Sequence, residues 1–215
     1  MAAGVDARPL LRGMLHVGAA LASIAGIVVM LLLAHNARGY VGAAVFGASL
    51  IAVYGTSASY HRVPWGKRMS KLMSRLDHSM IFVLIAGTYV PFCLLVFDGA
   101  MGIVLLSLAA SVAGAGAFVR FFWLNTPRRL AVSLYLAAGW IGILAAVQIP
   151  QRLDAAPLAL LVLGGVAYSI GAVVYARKRP DPWPRVFGFH EVFHSFTIAG
   201  STLHFIAVAV FLLPK

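Results

Sequence analysis

Apolar residues along this chain form long unbroken stretches, with neither the alternation of a strand nor the one-sided stripe of a surface helix. Seven such stretches stand out, at roughly 14–34, 41–61, 77–97, 101–123, 130–149, 157–176 and 190–213. Each approaches the ~20 residues that a helix needs to cross a bilayer. Backbone groups in lipid have no water to bond, so helices are the expected form. The pattern predicts an all-α membrane protein, a seven-transmembrane helix bundle, with residues 1–215 as one domain.

The breaks between stretches carry turn chemistry. His35 to Gly39, Arg62 to Arg75, Asp98-Gly99, Asn125 to Arg129 and Pro150 to Pro157 separate successive spans. Arg177 to Phe189 holds Pro180, Pro182 and Pro184, which exclude helix there. Pro91, inside the third span, predicts a kink of the kind that bundles tolerate. The first stretch is longer than a signal-peptide core and reads as a span that is kept.

Composition agrees. The chain is 61% hydrophobic and only 11% charged, against about 25% charged in soluble domains. The net charge of +11 does not indicate nucleic acid, because the basic residues sit in short clusters between apolar runs. Such clusters mark the cytoplasmic side. Fourteen lysines and arginines fall in the N-terminal tail and the second, fourth and sixth connections; three (Arg38, Arg152 and Lys215) fall on the other side. This predicts a cytoplasmic N-terminus and an outside C-terminus. Trp65, Trp123 and Trp183 fall at predicted cytoplasmic boundaries, and Trp140 reads as packing. Cys93 is the single cysteine, so there is no intrachain disulfide and no CxxC motif.

Ionisable groups within spans are costly, so each is a functional candidate. His190 and His194 are spaced i, i+4 on one helical face, close enough to share a metal. His61 ends the second span, with Ser57 one turn before it. Asp77 and His78 begin the third. The charge-derived topology brings His61, Asp77, His190 and His194 to one depth, near the cytoplasmic side. Three histidines and a water are the donor set of a catalytic zinc site with an open position. Asp77 is then placed to orient that water or take its proton, and Ser57 to hydrogen-bond the water or a substrate carbonyl. A structural zinc, with Asp77 or His78 as fourth ligand, is the competing arrangement. His204 lies about 15 Å beyond His194 along its helix; it reads as a cavity or helix-bonding residue outside the metal shell. His78 reads equally as a helix–helix contact, and His16 and His35 as interfacial and inert.

Three motifs carry a family resemblance: Ser57-x3-His61; Leu76-Asp77-His78-Ser79 with Ala86 to Phe92; and Phe189-His190-Glu191-Val192-Phe193-His194. Together they resemble the hemolysin III family, the bacterial branch of the progestin and adipoQ receptor family, which is similar to the alkaline ceramidases. The resemblance spans nearly the whole chain. It implies seven spans with the N-terminus inside, in a bacterial inner (plasma) membrane. It also implies one Zn2+ per chain held at His61, His190 and His194, with Asp77 contacting water at the metal. The implied activity is hydrolysis of a lipid amide or ester, or a part in membrane lipid homeostasis, with membrane lipids as partners. Cytolysis, which the family name suggests, has no physical counterpart in this sequence. Two other functions compete. One is a non-catalytic, metal-stabilised sensor, receptor or channel. The other is an intramembrane metalloprotease, because His190 to His194 fits H-E-x-x-H with Glu191 as base.

Overall fold

The computed structural model describes residues 9–97, 99–123, 126–145 and 148–214. Arg8, Asp98, Asn125 and Lys215, used above for topology and turns, lie outside them. The elements are α1 (Met14–Leu33), α2 (Ala37–Arg62), α3 (Lys67–Leu95), α4 (Ala100–Phe122), α5 (Arg128–Gly139), the four-residue α6 (Ile149–Arg152), α7 (Ala155–Arg177) and α8 (Phe189–Ile206). A 3-10 turn, Ile141–Ala145, extends α5, and a π-turn, Ala207–Leu212, extends α8. The described residues contain no strand, only the bridge between Trp183 and Phe187.

Seven of the described helices are long and apolar enough to cross a membrane: α1 to α4, α5 with its 3-10 extension, α7, and α8 with its π extension. They form the seven-helix bundle that the hydropathy pattern predicts. Large apolar side chains face outward, among them Leu21 and Leu32 on α1, Ile103 and Phe118 on α4, and Leu163 on α7. An apolar exterior of this extent needs lipid as its solvent. This is an integral membrane protein.

Consecutive helices pack as neighbours: α1 on α2, α2 on α3, α3 on α4, and α7 on α8, with α1 also reaching α8. Close contact relies on small residues. A Cβ at Gly87 of α3 would collide with the Ser49 side chain of α2, and one at Gly116 of α4 with the Phe82 ring. Membrane helices gain from such small-residue contacts because lipid gives little hydrophobic drive between them. At the start of α2, Asn36 Oδ1 accepts the Gly39 N–H at 2.9 Å, so the α1–α2 connection caps the helix that follows it.

Two elements differ from the hydropathy reading. α3 begins at Lys67, ten residues before the apolar stretch, so Arg68, Lys71 and Arg75 ride on helix. Lys, Met, Leu and Arg are good helix formers, and helix continues past the apolar run that marks the span. The fifth span is broken: regular α-helix ends at Gly139 and a 3-10 turn follows. Tyr89 of α3 explains the break. Its hydroxyl donates to Gly139 O and accepts the Gly142 N–H, both at 2.8 Å. A side chain inserted in this way satisfies groups that the helical ladder would otherwise pair.

Candidate metal centre

The last residues of α2, the third turn of α3 and the first two turns of α8 meet at one end of the bundle. One ligand atom each from His61, His190 and His194 lies within 4.8 Å of the others. His61 Nε2 and His190 Nε2 are 3.2 Å apart. The rings of His190 and His194 are 4.4 Å apart between centroids, and those of His61 and His194 are 5.5 Å apart. Three histidines are therefore close enough to bind one metal ion. Zinc–nitrogen bonds of about 2.0–2.1 Å in a tetrahedron put neighbouring nitrogens about 3.3 Å apart, which matches the 3.2 Å separation.

Asp77 stands just outside that triangle. Its Oδ2 is 4.0 Å from His61 Nε2, and it does not join the three-histidine group. Ser57, 2% exposed, faces Asp77. His78 is turned elsewhere: its Nδ1 is 2.6 Å from Ser74 O and its Nε2 is 3.5 Å from the Tyr175 hydroxyl. The structure thus brings together His61, His190, His194, Asp77 and Ser57 and leaves His78 at the margin. His204 lies deeper, its Nε2 on Leu161 O at 3.0 Å and its ring edge filling the gap left by Gly164.

Glu191 is fully buried and both of its oxygens are engaged. Oε1 accepts from Arg12 Nε at 2.6 Å, and Oε2 accepts the Gly188 N–H at 2.9 Å. The carboxylate therefore caps α8 and anchors the segment before α1. Leu10 and Leu11 extend that anchor by donating to the carbonyls of Arg185 and Val186. A base for hydrolysis must reach its water, and Glu191, fully buried, does not line the cavity that Asp77, His190 and His194 share. Replacing Arg12 with methionine leaves this carboxylate buried without its cation, at a cost of about 3–5 kcal/mol. At about 2–4 °C per kcal/mol for a chain of this size, Arg12→Met is expected to lower Tm in detergent by roughly 10 °C. Adding Glu191→Gln should recover most of the loss, because the amide keeps the Gly188 bond. A double variant as unstable as the single one would contradict this account.

Three groups near the site escape a sequence reading. His16, expected to be interfacial, is 3% exposed and its ring stacks on His194 at 3.7 Å. Arg120, counted above as a loop cation, is buried in α4 and acts on both Asp77 and Tyr135. Gly13 turns left-handed (φ 78°) against His61, where an added Cβ would sit 2.6 Å from that of His61. The only sequence signal for His16 and Arg120 is ionisable character near the edge of an apolar run, which many topogenic residues share, and Gly13 carries none.

A cavity of about 140 Å³ opens from the site, lined by Ser57, Asp77, His190 and His194 and otherwise mostly by apolar side chains. A second, of about 370 Å³, lies deeper among Phe92, Leu105, Ile143 and Leu158. Thr88, Tyr89, Gly139, Trp140, Gly165 and His204 line both. The break in the fifth span falls on this shared wall.

A family profile described as "Haemolysin-III related" matches residues 6–205. The chain is 34% identical over 191 residues to the "Hemolysin-3 homolog" of Bacillus subtilis (strain 168), covering 87% of this chain and 86% of that protein. It is 30% identical over 198 residues to "Hemolysin-3" of Bacillus cereus, covering 91% and 87%. It is also 29% identical over 182 residues to the "Adiponectin receptor protein" of Drosophila melanogaster, covering 75% of this chain and 41% of the receptor.

Proposed function

Because this chain belongs to the haemolysin-III related family of integral membrane proteins, and carries a three-histidine cluster beside a partly buried carboxyl, we propose that it is a zinc-dependent hydrolase of a lipid amide or ester. The observation that carries the reading is the position of Asp77. Its carboxyl stands outside the three-histidine group yet lines the same cavity. A closed structural site would draw a fourth protein ligand into the tetrahedron.

Zinc, when bound, supplies Lewis acidity that polarises a carbonyl and makes water acidic near neutral pH. His61, His190 and His194 hold it. Asp77 takes the proton of the attacking water and passes it to the leaving amine or alcohol. Ser57 orients the Asp77 carboxyl or donates to the substrate carbonyl. Arg120 balances the Asp77 charge where lipid surroundings would otherwise disfavour it. The two adjoining apolar cavities suit an acyl chain, which selects lipids over water-soluble amides.

The sidedness of the site remains as the charge pattern suggests: N-terminus and histidines toward the cytoplasm of a bacterial plasma membrane. Partners on this reading are membrane lipids with amide- or ester-linked acyl chains.

The test is fatty-acid release from a panel of long-chain N-acyl amides and esters in mixed micelles, comparing zinc-loaded protein with protein stripped by chelator. Zinc-dependent release of acyl chains supports the hydrolase. One zinc per chain with no release from any class would point to a metal-stabilised sensor or channel instead.

A further inference from the structure

His16 is a buried titratable residue for which the chemistry above has no use. Its ring lies nearly parallel to that of His194, 16° between planes, and Tyr54 meets it edge-on at 4.9 Å. It does not join the three-histidine cluster. Neither ring nitrogen has a hydrogen-bond partner among the described residues. An imidazole nevertheless carries at least one N–H donor in every protonation state. Leaving that donor buried and unpaired costs free energy that a phenyl ring in the same place would not. Packing against His194 therefore accounts for the ring but not for its nitrogens.

Two observations place the His16 ring beside a ligand site. His16 lines the cavity that also touches Ser57, Asp77 and His194. Its position is also fixed from below. Arg12 is tied to Glu191, and Gly13 turns tightly against His61, so the first turn of α1 is held against α2 and α8. A polar ring held rigidly at a cavity wall is pre-organised for binding.

We propose that His16 contacts the substrate, its ring hydrogen-bonding the polar head (the carbonyl or amide group) of a lipid held in the cavity beside the histidine cluster. The assignment rests on the zinc-site reading and names the residue that holds the head group there. It also predicts opposite signs for stability and binding, because a group kept for its ligand is a liability when the ligand is gone.

The experiment uses the full chain in detergent, zinc-loaded, as wild type, His16→Phe and His16→Gln. The probe is a C16 alkyl hydroxamate, which offers a metal-binding carbonyl head and an apolar chain, with affinity read by calorimetry. His16→Phe should keep its zinc and a Tm equal to or above wild type, while binding the hydroxamate roughly 10-fold more weakly, the worth of about one hydrogen bond. His16→Gln, with an amide donor, should regain part of that affinity. His16→Phe binding as tightly as wild type would overturn the proposal. So would loss of zinc and a lower Tm in both variants, which would make His16 a packing residue. Wild type that holds zinc but ignores the hydroxamate would also overturn it while leaving the metal site standing; wild type without zinc would overturn the site as well.

Discussion

Replacing His190 with alanine is expected to reduce bound zinc from about one per chain to roughly a tenth of that or less, because two imidazoles do not hold the ion that three hold. The geometry makes the loss specific. His190 Nε2 is 3.2 Å from His61 Nε2, so its removal opens one edge of the triangle while the helices around it keep their packing. His78→Ala and His204→Phe are the matched controls. His78 is committed to Ser74 O, and His204 to Leu161 O. Both variants should match the zinc content of the wild type, about one per chain. Metal analysis after gel filtration in metal-free detergent buffer checks all four proteins. Equal zinc in His190→Ala and wild type would remove the metal centre from the account. Loss of zinc from His78→Ala would move His78 into the ligand set and favour a closed structural site.

The contrast between His190 and His78 shows what a one-dimensional reading can deliver. The i, i+4 pair at His190 and His194 is legible because helical periodicity alone sets both residues on one face. His61 follows from depth, since the end of an apolar run locates a residue along the membrane normal. His78 has the same depth as His61, and depth says nothing of rotation about the helix axis. One residue on from Asp77, it is turned by about 100°, toward Ser74 O and Tyr175. His16 is illegible for a related reason. It lies near the N-terminal end of the first span, where an interfacial histidine is unremarkable. Only the packing of α1 against α8 brings its ring onto His194.

Glu191 fits a protease motif in sequence, and Arg12, 179 positions away, together with the Gly188 N–H of its own helix cap, decides its role. The break in the fifth span was equally out of reach, because it depends on Tyr89 of another helix bonding Gly139 and Gly142. The seven spans, by contrast, follow from hydropathy, which is a property of each segment by itself. Hydropathy also misplaces the start of α3 by ten residues, since a helix can continue into water where lipid solvation stops.

Asp77→Asn is expected to separate binding from turnover. Asparagine keeps the size of the side chain and one oxygen, so Ser57 and the cavity wall lose little. Asp77 does not join the three-histidine group, so the variant should retain about one zinc per chain. What disappears, on the hydrolase reading, is the group that accepts the proton of the attacking water. General-base catalysis contributes typically about 10²–10⁴-fold, so kcat for release of fatty acid should fall by that factor with KM little changed. Arg120 then lacks the carboxylate it acts on, so Tm is measured alongside, and a fall of more than a few degrees would be tested with Arg120→Met as a second-site change. Glu191→Gln provides the opposing case. It should leave kcat near wild type, because that carboxylate serves Arg12 and the cap of α8. A protease-like site would show the reverse order, with Glu191→Gln inactive and Asp77→Asn active. Loss of zinc from Asp77→Asn would make the aspartate a fourth ligand, the site a structural one, and the cavity beside it a binding pocket without chemistry.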